Sequence, residues 1–522
     1  MSPIVLFSFV IVYFLILLVV AKVTGKNSTN DSFFIGNRNS NWMLVAFGMV
    51  GTSLSGVTFV SVPGQVGTLV GGTNYVNAFS YLQITLGYVI GYLTIAYVLL
   101  PLYYKLNLTS IYNYLSTRLG VASYKTGASF FILSRTLGAT ARLYLVVRIL
   151  QDAILQSFHV PFWATTLIIL LMILLYTYEG GVKTIVWTDT LQTSCMLLGL
   201  VICVFYILNQ LHVGFFESLS TMADKGYTKI FFTEPSSKLF FVKQILAGAF
   251  VTITMTGMDQ EMMQKNISVK TLKDSQKNVI TLGFTMLVVI TLFLFLGGLL
   301  YLFASANGLA VTGDKLFPSI ALEHMPPAMS IIFIIALISA LFPSADGALT
   351  ALTSSFCIDI LGLKKRKDLD EAQKKKKRLI VHLTFAILFF LLVMLFKWID
   401  DKSIIDVILK VAGYTYGPLL GLFAFGILTQ RKIKDKYALI VCLLSPLIIL
   451  GTDLINNPDW FVTRFGFSEI TTTNLKAFSE KIFHGYKFGI EILILNGLVT
   501  FFGLFLISKK DVKRELVANE NE

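Results

Sequence analysis

Charge is what this sequence has little of. Only 14% of its 522 residues are charged, against about a quarter in an ordinary globular domain. That is too little to coat the several soluble domains such a length would otherwise make, so a soluble enzyme or binding protein is excluded. Cysteine is scarce as well. Cys195, Cys203, Cys357 and Cys442 all lie in apolar runs without C-x-x-C spacing, which argues against a zinc site or a disulfide framework. The five histidines, His159, His212, His324, His382 and His484, form no H-x-x-x-H or H-E-x-x-H pattern. A membrane-embedded metalloenzyme therefore has no ligand set. No soluble module is visible at either end, so a sensor would lack an output domain and a fused kinase is not expected.

What the chain has is apolar length. Hydrophobic residues make up 55% of it, and the mean hydropathy is +0.73. A membrane helix needs about 20 mostly apolar residues. Thirteen stretches meet that need: 3–21, 42–69, 77–103, 127–156, 161–178, 185–209, 239–258, 278–304, 328–361, 379–397, 404–429, 437–453 and 486–508. The first has no basic segment before it, and Ala21-Lys22 does not resemble a cleavage site, so it reads as a retained helix rather than a signal peptide.

The net charge of +13 then becomes a matter of orientation rather than of nucleic-acid binding. With the N-terminus outside, alternate loops 22–41, 104–126, 179–184, 259–277, 362–378, 430–436 and 509–522 fall on the cytoplasmic side. About two-thirds of the 43 lysines and arginines lie there, as the positive-inside rule requires. The densest run, Lys364 to Lys367 and Lys374 to Arg378, reads as an anchor against anionic lipid headgroups. The predicted localisation is the cell membrane, with the lipid bilayer as a partner and with neither nucleic acid nor an obligatory protein partner.

Ionisable groups inside spans are expensive and point to function. Asp259 and Asp359 sit near predicted cytoplasmic ends, where water or lysines can reach them. Arg148 and Asp152 are four apart and can pair along one helix. Arg142, with Arg135 seven residues earlier, Asp189 and Asp346 resist such explanations. Asp346 lies in Phe342-Pro343-Ser344-Ala345-Asp346-Gly347. Proline frees the carbonyl four residues back, here that of Ser339, and bends a helix. A freed carbonyl beside hydroxyls and a carboxylate suits a hard cation. Gly51-Thr52-Ser53-Leu54-Ser55-Gly56-Val57-Thr58 is a second small, hydroxylated segment in mid-span. Two interrupted spans with buried carboxylates predict the broken helices that build transporter sites. As an alternative, Arg142 pairs with Asp189 or Asp346 as structural glue.

These motifs resemble the sodium/solute symporter family, the relatives of sodium–glucose cotransporters. The likeness rests on Thr188-Asp189-Thr190-Leu191-Gln192 after Gly180-Gly181, on Met258-Asp259-Gln260-Glu261-Met262-Met263-Gln264-Lys265, and on the run from Ser339 to Ile360. It implies an all-α membrane protein with a LeuT-type core of five plus five helices in inverted repeat, N-out and C-in. The repeats would span 42–210 and 239–430. A first helix at 1–24 and two helices in 437–508 would be peripheral, and 509–522 would be a cytoplasmic tail.

The resemblance also implies sites. The family's sodium ion would rest on carbonyls of Gly51, Leu54 and Ala340 and on two hydroxyl positions, which fall at Pro343 and Ser344. Serine keeps one hydroxyl and proline removes the other. The aspartate of a second cation site falls at Asp189, with Asp346 and Gly347 in place of hydroxylated neighbours. Asp189 and Asp346 together would hold a second cation, or one of them would carry a proton. In the sugar-selective branch a glutamine position falls at Gly413 and a histidine position at Thr58, which disfavours a plain hexose. The sialic-acid-transporting branch matches better, with hydroxyls at Ser53, Ser55 and Thr58, a carboxylate-binding arginine at Arg142 and a glutamine at Gln83. A mid-membrane guanidinium is a bidentate receptor for a carboxylate. The predicted function is sodium-coupled import, by alternating access, of a small polar solute such as a sialic-acid-like sugar acid. Symport of a neutral sugar, and more distantly a sodium channel, are the alternatives.

Overall fold

Backbone polar groups in hydrocarbon must be satisfied within the chain, and helices do this in the computed structural model of the protein. It describes residues 3–25, 33–34, 36–70, 75–177, 181–399, 404–458 and 469–510. Glu179, Gly180 and positions 511–522 of the expected tail lie outside the described residues. In chain order the main helices are α1 (Pro3–Thr24), α2 (Trp42–Gln65), α3 (Tyr81–Lys105), α4 (Val121–Phe158), α5 (Phe162–Thr177) and α6 (Gly181–Leu211). After a surface helix, Phe215–Asp224, come α7 (Phe241–Gly257), α8 (Gln260–Asn266), α9 (Leu272–Ala306), α10 (Pro327–Ile360) and α11 (Glu371–Ile399). The chain continues as α12 (Ile404–Thr415), α13 (Gly417–Leu428), α14 (Ala438–Asn456) and α15 (Ile492–Leu506). A two-residue antiparallel pair, Lys432–Ile433 with Ser508–Lys509, ties the ends of α13 and α15.

Among the described residues nine helices are long and apolar enough to cross a membrane, or eleven if each of two bent pairs is one span. Thirteen spans are more than length and composition support, because α5 and α15 have only 16 and 15 residues. The bent pairs are α7 with α8, at 69°, and α12 with α13, at 44°.

Helices α3 and α7 approach closely through glycines. A Cβ at Gly87 would fall onto the carbonyl oxygen of Ile245, and one at Gly248 onto that of Ile84. Small residues at a crossing let membrane helices pack on their backbones. Helix α2 begins at Asn41, whose side chain accepts from the Met43 N–H at 2.9 Å, and it breaks at Ser55, where φ is 43° and ψ is 164°. A positive φ is costly for a residue with a Cβ, so packing from several sides must hold this bend.

The breaks correct one expectation. Helix α10 runs through Pro343 as a single helix, so the second broken helix is not the proline-bearing one. One lost hydrogen bond is tolerated in a membrane helix packed by neighbours, and Ser339 to Ala351 are all buried. The sharper break falls at Met258-Asp259, where the Asp259 carboxylate caps α8 by accepting from Glu261 N–H (2.9 Å) and Met262 N–H (3.3 Å). An aspartate at that place starts a new helix.

Candidate binding and coupling site

A break strands backbone carbonyls, and each must find a donor. At the α7–α8 bend the Tyr103 hydroxyl donates to the Gly257 carbonyl (2.7 Å) and the Tyr112 hydroxyl to that of Met258 (2.9 Å). At the α12–α13 bend the Asn496 amide donates to the carbonyls of Gly413 (2.9 Å) and Tyr414 (2.8 Å). At the Ser55 break the turn comprises Gly51, Thr52, Ser53 and Leu54, and among the described residues no side-chain donor reaches those carbonyls. The C-terminal end of a helical segment carries partial negative charge, so this turn presents negative potential at mid-bundle.

Helix α10 faces the same turn. A Cβ built on Gly51 would lie 3.5 Å from Pro343 Cγ, and one on Gly56 would lie 3.8 Å from Leu341 Cα. The crossing thus brings Gly51 beside Pro343 and brackets Leu54, Ala340 and Ser344, all buried. The Ser344 hydroxyl donates to the Leu341 carbonyl at 2.9 Å, which leaves its oxygen lone pairs free to accept or ligate.

Beyond the break lies a cavity of about 100 Å³ lined by Ser53, Ser55, Thr58 and Arg142, with Tyr81, Tyr88 and Tyr92 from α3 and Thr252, Met255 and Thr256 from α7. Arg135 lines it as well, and hydroxyls, aromatic faces and guanidinium groups are what a polar organic solute needs for orientation.

Arg135 and Arg142 of α4 differ. Arg135 is taken, hydrogen-bonded to Glu261 Oε2 and 3.9 Å from Asp259 Oδ2. Among the described residues no carboxylate lies within ion-pair distance of Arg142, one turn pair further along. The glue alternative is therefore removed, because the carboxylates named for it are engaged elsewhere. Asp189 Oδ2 accepts from Lys265 Nζ (2.7 Å) and Thr52 Oγ1 (3.2 Å). Asp346 accepts from the Tyr176 hydroxyl (2.9 Å) and from the Gly347 N–H (2.5 Å).

Gln83 lies apart from the cavity lining. Its amide donates to the carbonyls of Leu239 (3.1 Å) and Ser80 (3.3 Å), and its oxygen accepts from the Phe232 N–H (3.3 Å). It clamps the loop before α7. His382 is a satisfied core histidine held between Thr353 (2.9 Å) and Thr177 (3.3 Å). Among the described residues no group of three His, Cys, Asp or Glu could hold a metal ion.

Sequence reasoning missed α8. All seven of its residues are buried, and most are polar. Gln260 bonds to the backbone of Thr109 and Ile111 (3.0 Å each). Gln264 reaches Ser354 (3.3 Å) and Asn266 reaches Asn278 (2.6 Å). Asp259, expected near water, is fully buried, as is Asp359, which accepts from Tyr124 (2.8 Å) and Ser355 (2.6 Å). The available signal was an aspartate cap followed by Glu261 and Lys265 at i, i+4 spacing, which marks a helix rather than a loop.

Comparison with known proteins bears on the family and the fold. The sodium:solute symporter family matches residues 33–444. The sodium/sialic acid symporter of Proteus mirabilis is 24% identical over 460 residues, covering 84% of this chain and 88% of that one. The sodium/sialic acid symporter of Aliivibrio fischeri is 24% identical over 418 residues, covering 78% and 79%. Among solved structures, a Na+-coupled sialic acid symporter in a substrate-bound outward-open state, described as revealing a novel Na+ site, superposes with a TM-score of 0.77 at 20% identity. It covers 97% of this chain and 99% of that one. The fold is thus the all-α, LeuT-type membrane bundle.

Proposed function

This chain belongs to the sodium:solute symporter family, and from that premise we propose that it carries a sialic-acid-like sugar acid inward with sodium by alternating access. Sodium is the coupling ion of the family, and the protein is a multi-pass membrane transporter rather than an enzyme.

One observation carries the choice of solute. Arg142 lines the central cavity with the Ser53, Ser55 and Thr58 hydroxyls, and among the described residues its guanidinium has no carboxylate partner of its own. A charged group in a membrane interior without a counter-ion is costly, and an incoming carboxylate would supply one through two parallel hydrogen bonds. The hydroxyls would take the polyol. That similar chains are named sodium/sialic acid symporters supports the same reading.

The proposal extends to the sodium site, on the carbonyls of Gly51, Leu54 and Ala340 and the hydroxyl of Ser344, with Pro343 shaping the turn opposite. It extends also to the division into repeats at 42–210 and 239–430 in N-out, C-in orientation. That division is supported by the position of the breaks, since α2 and the α7–α8 pair would each open a repeat. Broken helices at corresponding positions flank the substrate in inverted-repeat transporters. Sodium entering the Ser55 turn would hold α2 against α10 and complete the solute cavity. Its release after the bundle rocks inward would loosen both.

The test is uptake of radiolabelled N-acetylneuraminic acid by purified protein in liposomes under an inward sodium gradient. Saturable, sodium-dependent uptake is expected, and Arg142→Ala should weaken apparent affinity by roughly 30- to 150-fold, since a hydrogen-bonded charge contributes about 2–3 kcal/mol. Unchanged affinity in Arg142→Ala would exclude the carboxylate role. Sodium-dependent uptake of a neutral sugar instead would move the substrate class.

A further inference from the structure

An ammonium group inside a membrane bundle must be matched by acceptors or it would not be tolerated. Lys265, on the short helix α8, is only 3% exposed. Its Nζ lies 2.7 Å from Asp189 Oδ2 on α6, 2.7 Å from Thr52 Oγ1 on α2 and 3.8 Å from Glu261 Oε1. Two carboxylates and a hydroxyl from three helices make an oxygen cage of the sort a hard cation selects, and the lysine head group fills it.

The residues around the cage fit that occupant. A Cβ at Gly347 would stand 2.8 Å from Glu261 Cδ and 3.2 Å from Lys265 Nζ, so a serine or threonine there would displace both. The position is empty of side chain where the ammonium needs room. Asp346, next to it, is satisfied by Tyr176 and its neighbouring N–H.

We propose that Lys265 is a built-in cation standing where a second, exchangeable sodium ion would otherwise bind to Asp189, so that the protein binds a single sodium ion, at the Ser55 turn. This rests on the sodium-coupled reading above. A tethered charge cannot be released, so it fixes Asp189, Thr52 and α8 together without drawing on the ion gradient.

The deciding measurement is equilibrium binding of radioactive sodium to the purified full-length protein in lipid nanodiscs, without solute, counted per protein at saturation. Wild type should hold one ion. Lys265→Ala should hold two, because the emptied cage leaves the Asp189 carboxylate open to solvent cations. Lys265→Ala combined with Asp189→Asn should return to one. Two ions in wild type would overturn the inference, as would one ion in a monodisperse Lys265→Ala protein. Should that variant fail to fold, the wild-type count decides alone, one ion supporting and two refuting. No bound sodium in wild type would count against sodium coupling itself, which is a separate failure.

Discussion

The hydroxyl of Tyr416 lies 2.9 Å from Asp259 Oδ2, and that bond joins two bends. Tyr416 sits between α12 and α13, while Asp259 caps α8 after α7. The same carboxylate stands 3.9 Å from Arg135. A tilt of either bent helix must therefore pull on the other and on α4.

Tyr416→Phe removes the hydroxyl and keeps the ring. A hydrogen bond to a charged group contributes about 1.5–3 kcal/mol, so the thermal unfolding midpoint in detergent should fall. Turnover should drop more than the apparent sodium affinity, because the bond joins moving elements rather than ligands. An unchanged midpoint and turnover would show that the two bends are not coupled through this contact.

The α2–α10 crossing gives an opposed pair of substitutions. Ser344→Ala removes one side-chain oxygen and should raise the half-saturating sodium concentration roughly tenfold, or about 1.4 kcal/mol. Pro343→Ser restores a hydroxyl and an N–H, and should lower it. Sodium titration of uptake reads both. If neither variant moves the titration, sodium is held elsewhere.

Gly347→Ala tests the fit around Lys265 by volume alone. The added methyl meets Glu261 and Lys265 within the contact limit, and overpacking of this kind costs about 1–3 kcal/mol. A lower unfolding midpoint is expected. A midpoint equal to wild type would mean that the cage has slack that the structure does not show.

Much of this was legible in the sequence, for reasons that differ by scale. Apolar length and the placement of lysines gave the helical membrane bundle, because hydrocarbon permits few alternatives. The hydroxylated segment around Ser55 and the mid-span Arg142 were visible because polar groups at that depth are rare. Helix α8 was not. Seven residues are too few for periodicity to show, and polar residues after an apolar span look like the start of a loop. What makes them interior is a set of partners, Arg135, Asp189 and Thr52, distant in the chain. Pro343 misled in the other direction: a proline advertises a break, yet close packing on all sides keeps α10 continuous. Gln83 is a plausible ligand by residue type, and only the loop folded over it reveals that its amide is already used.

The buried polar helix α8 also bears on how the protein is made. Its hydrogen-bond partners at Thr52, Thr109, Ile111, Arg135 and Asp189 precede it in the chain, and those at Asn278 and Ser354 follow it. Lipid offers such a segment no donors or acceptors, so it cannot wait in the bilayer as an independent element. The helices made before it supply most of those partners, so α8 is the point at which the second half of the molecule is registered on the first.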